Sequence, residues 1–457
     1  MRTLPAFRLL AVGAALVITD ACTAADRVTS PALSVSSGRV TSTTTEVVVT
    51  STSPSTSTRD VTLNVHIFGA GFDRGSTAQW ALNGVPAGKV KTNSTTFVSS
   101  KELVANITVA ADADFAYYDV IVTAASSGKP GIGTETFEIV VQTTNLGTLG
   151  GSESEATAIN DQGQIVGSSY IRTGQLRPFI WQDGVMSSLG VLPGDGGYSV
   201  ARDISNTGMV AGYGYASGAF KPWMWTSSGG IKLLPLPAGV VTGYVEAVND
   251  DGAIVGSFGE IDVSHAAIWK NGTITDIHPR TGGSSHAWTI NSLGDVAGAW
   301  YSGNETNSPA VPFVRRASGD VTWLPCPGVS CSTGSINSSG DIAGSVTMSD
   351  NTTYAFKWTL YGAGPSVIVG DKQTSAFGLS DNGYMAGQFH FSIWNNDGAA
   401  LWGTDGTMVE LQSESHKTAA RGFGRDVNSS GWVVGYFYTS VKGTPVKRAV
   451  RWRYPLA

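Results

Sequence analysis

The chain has 457 residues, 41% hydrophobic and 14% charged, with 29 basic against 35 acidic side chains and a formal net charge of −6. That apolar content excludes global disorder, which needs few apolar residues and high charge, and the absent basic excess argues against a general nucleic-acid binder. The 57 glycines, about 12% against a usual ~7%, together with 13 Trp, 14 Tyr and 16 Phe, fit many short strands joined by tight turns. They speak against a helical bundle and against a cytosolic α/β enzyme.

Arg2 and Arg8 bracket the approach to an apolar run, Leu9 to Ile18. The run is too short for a bilayer, which needs ~20 residues, and it suits a signal peptide over residues 1–21. Thr19-Asp20-Ala21-Cys22 then sets a small residue before Cys and resembles a bacterial lipobox, with Cys22 as the lipidated residue. Cleavage at Ala21 or at Ala24-Ala25, leaving no lipid, is the alternative. Either way the chain is expected outside the cytoplasm: a lipoprotein of the bacterial outer membrane or cell surface, or a secreted protein if Cys22 carries no lipid. No later segment is apolar enough to cross a membrane. Cys326 and Cys331 flank a four-residue loop, which a disulfide would staple in an oxidising compartment; two free thiols are the alternative. No CxxC and no metal-spaced His/Cys set is present, so nothing supports a structural zinc site.

Between Thr29 and Thr58, 18 of 30 residues are Ser or Thr. Such a stretch buries little and stays extended, and residues 22–45 are read as a tether. Order is expected from Glu46. Val61–Ile67 alternates apolar with polar residues, as a half-buried strand does, and Ala78–Leu82, Ser94–Val98, Leu103–Val109, Tyr117–Thr123 and Thr136–Val141 read as further strands. Short strands at this spacing suggest a β-sandwich over residues 46–142. Its strings VHIFGAGFDRGSTAQWALNG, TTFVSSKELVANITVA, YYDVIVT and FEIVV resemble the IPT/TIG immunoglobulin-like domain. The resemblance implies a spacer or binding module and no catalysis.

One pattern fills residues 143–457. Its core is Ile/Val-Asn-x-x-Gly-x-Ile/Val-Val/Ala-Gly. The copies are Ile159–Gly167, Ile204–Gly212, Val248–Gly256, Ile290–Gly298, Ile336–Gly344, Leu379–Gly387 and Val427–Gly435. Their final glycines lie 45, 44, 42, 46, 43 and 48 residues apart, and a period in the forties signals a propeller or a solenoid. Asn or Asp opens a type I turn and the following Gly takes positive φ, so strand one ends at the Asn and strand two begins after the Gly. Strand three then carries Trp181, Trp225, Trp269, Trp358, Trp402 or Trp452, with Phe313-Val314-Arg315 in the fourth copy. The seventh copy lacks a fourth strand, and Asn145–Gly150 has that strand's pattern. Pairing the two would close a ring without exposed edges. The predicted fold is therefore all-β: an Ig-like sandwich followed by a seven-bladed β-propeller closed by an N-terminal strand. The copy NLGTLGGSESEATAINDQGQIVGSS resembles the HAF family of extracellular bacterial repeats. That implies location and shape, since the family's own role gives no activity.

Tight turns one-to-two and three-to-four are expected on one rim, and variable loops on the other. Variable loops on a rigid scaffold carry function, and aromatic faces are strong anchors for sugars or partners. The candidate ligand-binding residues are Tyr170, Tyr213, Tyr215, Trp300, Tyr301, Phe391, Trp394, Tyr436 and Tyr438. The Trp residues of strand three are read as packing between repeats. No GxSxG, HExxH or Walker sequence occurs, and the six His share no repeat position. The loop acids Asp195, Glu260, Asp262, Glu305, Asp350, Asp371 and Glu414 are read as solvated charges. The sequence thus points to a surface-tethered binding, adhesion or scaffold protein that recognises a carbohydrate, cell-wall or protein ligand on its variable-loop face. The alternative is a carbohydrate-active propeller enzyme, a glycoside hydrolase or lyase. Neither catalytic residue, metal nor cofactor is assigned. No nucleic-acid partner is expected, membrane contact is through the lipid alone, and the chain is expected to be a monomer.

Overall fold

The computed structural model describes residues 46–303, 308–360, 366–367, 373–391, 396–411 and 421–454. The signal, Cys22 and the tether lie outside them. The described chain is strand and turn, with one short 3-10 turn at Ile261–Val263.

Two sheets occupy the N-terminal part. One runs in the order Val48–Ser53, Val61–Ala70, Glu102–Val109, Val90–Ser99. The other runs Thr56–Ser57, Pro130–Ile139, Tyr117–Thr123, Thr77–Leu82, Val85–Pro86. Side chains along a strand alternate between faces, and Glu102–Val109 uses this: Leu103, Ala105, Ile107 and Val109 are fully buried while their neighbours are half-exposed. The sheets share one core, where Trp80 meets Phe137 edge-on at 5.6 Å.

The remaining chain is all-β and propeller-like. Repeat 3 illustrates the unit, with Gly243–Val248, Ile254–Phe258, His265–Lys270 and Thr273–Asp276 forming one antiparallel sheet in chain order. In repeat 7, Gly422–Val427, Trp432–Val441 and Thr444–Arg453 are joined by Gln142–Gly147, which pairs antiparallel with Thr444–Arg453. Repeats 1 and 2 are linked into an eight-stranded sheet by a single parallel bridge, Leu176 to Tyr198.

Apolar clusters join each repeat to the next. Ala158 and Val166 of repeat 1 pack with Val210 and Trp223 of repeat 2. Val434 and Ala449 of repeat 7 pack with Phe179 and Trp181 of repeat 1. Trp181, Trp269, Trp358, Trp402 and Trp452 are at most 3% exposed, each burial contributing about 2–3 kcal/mol. Two indoles also reach across a junction: Trp269 Nε1 donates to Pro235 O at 2.7 Å and Trp358 Nε1 to Pro325 O at 2.9 Å. Repeat 2 departs from the sequence expectation. Trp223 is fully buried and Trp225 only half-buried, because Trp223 stands opposite Gly212 and fills the space that the glycine leaves.

The turn Asn has a second role beyond opening its turn. Asn428 Oδ1 accepts from Trp432 N at 3.0 Å, and its Nδ2 donates to Asn160 O of repeat 1 at 3.0 Å. Asn160, Asn249, Asn291 and Asn337 likewise donate to Ser205 O, Asn291 O, Asn337 O and Ser380 O. All five side chains are buried.

Not every loop on the other rim is long. Ala216 turns to Ala219 through Ser217-Gly218, and Val441 to Thr444 through Lys442-Gly443, all four with positive φ. These are tight hairpins. Cys326 and Cys331 are disulfide-bonded, with Cα atoms 5.8 Å apart.

Candidate functional site

The first strand of every repeat carries a register shift at the same place. These shifts lie between Ala156 and Ala158, Ala201 and Asp203, Val245 and Ala247, Ala287 and Thr289, Thr333 and Ser335, Ala376 and Gly378, and Gly424 and Asp426. A bulge leaves one residue out of the ladder and re-aims its side chain. The residues set free are Thr157, Arg202, Glu246, Trp288, Gly334, Phe377 and Arg425, and all seven line one cavity of about 260 Å³. The closing glycine of each copy follows from the same geometry. A Cβ on Gly167, Gly212, Gly256, Gly298, Gly344, Gly387 or Gly435 would sit 1.8 to 2.1 Å from a carbonyl oxygen of the bulged strand.

The next residue along each strand completes a second ring in the same cavity: Ala158, Asp203, Ala247, Thr289, Ser335, Gly378 and Asp426. The two acids bridge repeats. Asp203 accepts from Ile204 N and Val248 N, both at 2.8 Å. Asp426 accepts from Val427 N at 2.8 Å and from Ile159 N of repeat 1 at 3.0 Å. Burial against the inner strands raises both carboxyls, Asp203 to about 6 and Asp426 to about 7, and the charge of Asp203 adds to the shift of Asp426. Both side chains remain half-buried, facing the cavity.

Charge among the seven bulge residues, the upper ring, is paired. Arg202 Nε donates to Glu246 Oε2 at 2.8 Å, and Glu246 holds the guanidinium above its usual value despite burial. Arg425 Nη2 donates to Glu155 Oε1 at 2.9 Å, and Lys447 Nζ to Glu155 Oε2 at 2.9 Å. Burial would raise the Glu155 carboxyl; Arg425 and Lys447 together outweigh it and hold the group below its usual value.

Thr157 and Arg202 also line a second cavity of about 290 Å³, bounded by Glu153, Glu155, Tyr170, Leu176, Tyr198, Tyr213 and Lys447. Tyr198 is 39% exposed and meets Phe220 edge-on at 5.9 Å. Tyr213 packs edge-on against Phe220 and Tyr244, and burial pushes its hydroxyl up to about 12, so it stays a protonated donor.

The predicted aromatics divide. Tyr170 and Tyr213 line this cleft. Tyr215 is 40% exposed and stands edge-on to Phe220, outside the cleft lining. Trp300 is only 7% exposed; its Nε1 donates to Gly282 O at 2.9 Å and the Arg280 guanidinium lies 3.4 Å from its ring centroid, so it packs rather than presents a face. Tyr436 is 5% exposed, stacked on Phe423 at 4.9 Å. Tyr438 is half-buried and edge-on to Tyr436. Tyr301 is half-buried beside His286. Phe391 ends the strand Met385–Phe391, and Trp394 lies outside the described residues, as do Glu305, Asp371 and Glu414.

The cleft acids Glu153 and Glu155 sit on a strand, and sequence reasoning restricted to loops passes over them. Arg202, Glu246 and Arg425 share a legible signal: three residues before each turn Asn or Ser, the copies carry Thr, Arg, Glu, Trp, Gly, Phe and Arg. Among the described residues, no group of three His, Cys, Asp or Glu side chains is placed to hold a metal ion.

No family model and no curated protein matches the chain. Among solved structures, it is similar to a Bacteroides thetaiotaomicron protein of unknown function (12% identity, 89% of this chain and 98% of that one, TM-score 0.34). It is also similar to TolB from Acinetobacter baumannii (12%, 66% and 63%, TM-score 0.35) and to the acylaminoacyl peptidase of Pyrococcus horikoshii (9%, 87% and 58%, TM-score 0.41).

Proposed function

We propose that the chain is an exported, surface-tethered binding protein. In this reading an Ig-like spacer carries a seven-bladed propeller closed by Gln142–Gly147, and a carbohydrate is held in the cleft beside Tyr198. The cleft itself carries the proposal: three tyrosines wall a cavity of about 290 Å³ that also presents two carboxylates, two cations and three hydroxyl side chains. Aromatic faces with a few fixed polar groups suit a hydroxyl-rich ligand. The pairing of Gln142–Gly147 with Thr444–Arg453 and the bonds from Asp426 and Asn428 to repeat 1 support the closed ring. The basic and apolar start of the chain and Cys22 support export and anchoring, with secretion following if no lipid is added.

A hydrolase or lyase is the second reading, and Glu153 and Glu155 on one cleft are what favour it. A glycosidase pair needs one carboxyl kept protonated as general acid. Both oxygens of Glu155 are already taken up by Arg425 and Lys447, which favours binding over cleavage. The test is a glycan and cell-wall array with the full chain and with Tyr198→Ala and Tyr170→Ala. Reproducible hits lost in both variants support the proposal. An absence of hits, or hits indifferent to both changes, overturns it; release of shortened sugars would support the enzyme instead.

A further inference from the structure

The cavity at the bulges is separate from the cleft in its chemistry. Trp288 and Phe377 stand in its lining on either side of Gly334 in repeat order, while Arg202, Glu246 and Arg425 come from repeats 2, 3 and 7. His286 stacks on Trp288 with centroids 5.0 Å apart and planes 11° from parallel, which fixes the indole. Thr333 lines the same cavity, is 6% exposed, and its Oγ1 has no hydrogen-bond partner in the protein. That oxygen has less than 1 Å² of accessible surface, so it is sealed behind the wall, and the polar groups a ligand can reach are the charged ones.

The charge pattern narrows what the cavity can accept. An anion entering the cavity would meet Glu246, Asp203 and Asp426. A cation would meet Arg202 and Arg425. Each cation of the upper ring already faces a carboxylate, so the wall offers fixed donors beside fixed acceptors with little net field. A neutral ligand that carries both donors and acceptors, and that has one apolar face for an indole, satisfies all of these demands. A volume of about 260 Å³ falls just under the ~300–1,000 Å³ typical of sites for drug-sized ligands, which suits one ring and not a chain.

We propose that the bulge-ring cavity is a subsite for one neutral sugar ring, stacked on Trp288 with hydroxyls bonded to the Arg202–Glu246 pair. It rests on the carbohydrate-binding reading above and names the inner end of that site. Thr157 and Arg202 line both cavities, so a longer glycan would run from this ring outward past Tyr198.

Ligand-observed saturation-transfer NMR on the full chain tests it. The probes are glucose, galactose, mannose and N-acetylglucosamine, with glucuronate and glucosamine as charged controls and a glycan hit from the array as the longer ligand. At least one neutral monosaccharide is expected to bind in the millimolar range. Trp288→Ala and the near-isosteric Glu246→Gln are each expected to weaken it at least tenfold, with melting curves confirming the fold. Tyr198→Ala should leave monosaccharide binding unchanged and weaken only the longer glycan. No transfer from any neutral monosaccharide, transfer undiminished in both cavity variants, or a stronger response to a charged control overturns the subsite. If the longer glycan depends on Tyr198 but not on Trp288, the subsite fails and the cleft stands; if it depends on neither, both fail.

Discussion

The two ends of the first strands differ in a way that separates structure from function. At the turn end the seven copies are nearly interchangeable, with Asn or Ser at the turn and Asp, Asn or Ser beside it. Five of those Asn residues pass a hydrogen bond to the next repeat. Three residues earlier, at the bulges, the copies diverge, from Gly334 to Trp288 to Arg425. Repetition marks positions that every junction needs for the same reason. Divergence within an otherwise regular strand marks positions released from that need and turned toward a cavity.

If this division is right, changes at the repeated positions damage the fold and changes at the divergent ones damage binding. The largest stability loss is expected from Gly298→Ala. Its Cβ would sit 2.1 Å from His286 O, and the backbone must shift, costing about 3–4 kcal/mol; chemical denaturation measures it. Asn428→Ala should cost about 2–3 kcal/mol, because it strands the Trp432 N–H and removes the bond to Asn160 O of repeat 1 at once.

Asp426→Asn probes the level between the two ends through pH. The carboxyl titrates at about 7 in the fold and at ~3.9 unfolded, so the native state binds its proton more tightly. The stability this proton confers is fully present below the unfolded value and is lost as pH rises through 7. Wild-type unfolding free energy should therefore fall across pH 4 to 8 in chemical denaturation, and Asp426→Asn should reduce that fall by about 1–2 kcal/mol, less than the full linkage because cavity water screens the charge. The smallest effect on stability is expected at Tyr198→Ala, within about 0.5 kcal/mol, with glycan binding lost. A binding loss at Asn428 matching that at Tyr198, with no change in melting, would break the division.

Much of this was legible in residues. Asn-x-x-Gly gives the turn, and the forty-odd period gives repeated sheets. Tyr170 and Tyr213 were visible as candidates for the cleft. Trp300 and Tyr436 looked equivalent to them, because strand position and aromatic type do not reveal which face a neighbouring repeat covers. Trp223 displaced Trp225 as the buried indole for a similar reason: Gly212 opens space that one ring takes first.

The sequence by itself determined the periodicity, the turn chemistry and the apolar alternation that makes the chain all strand, because these depend on residues close in the chain. Only the tertiary structure decided what the closing glycines are for and where the charges meet. Arg425 and Glu155 are 270 residues apart, and no local pattern connects them. A register shift of one residue, repeated seven times, is what carries Arg202, Glu246, Trp288 and Arg425 out of their ladders and into one cavity.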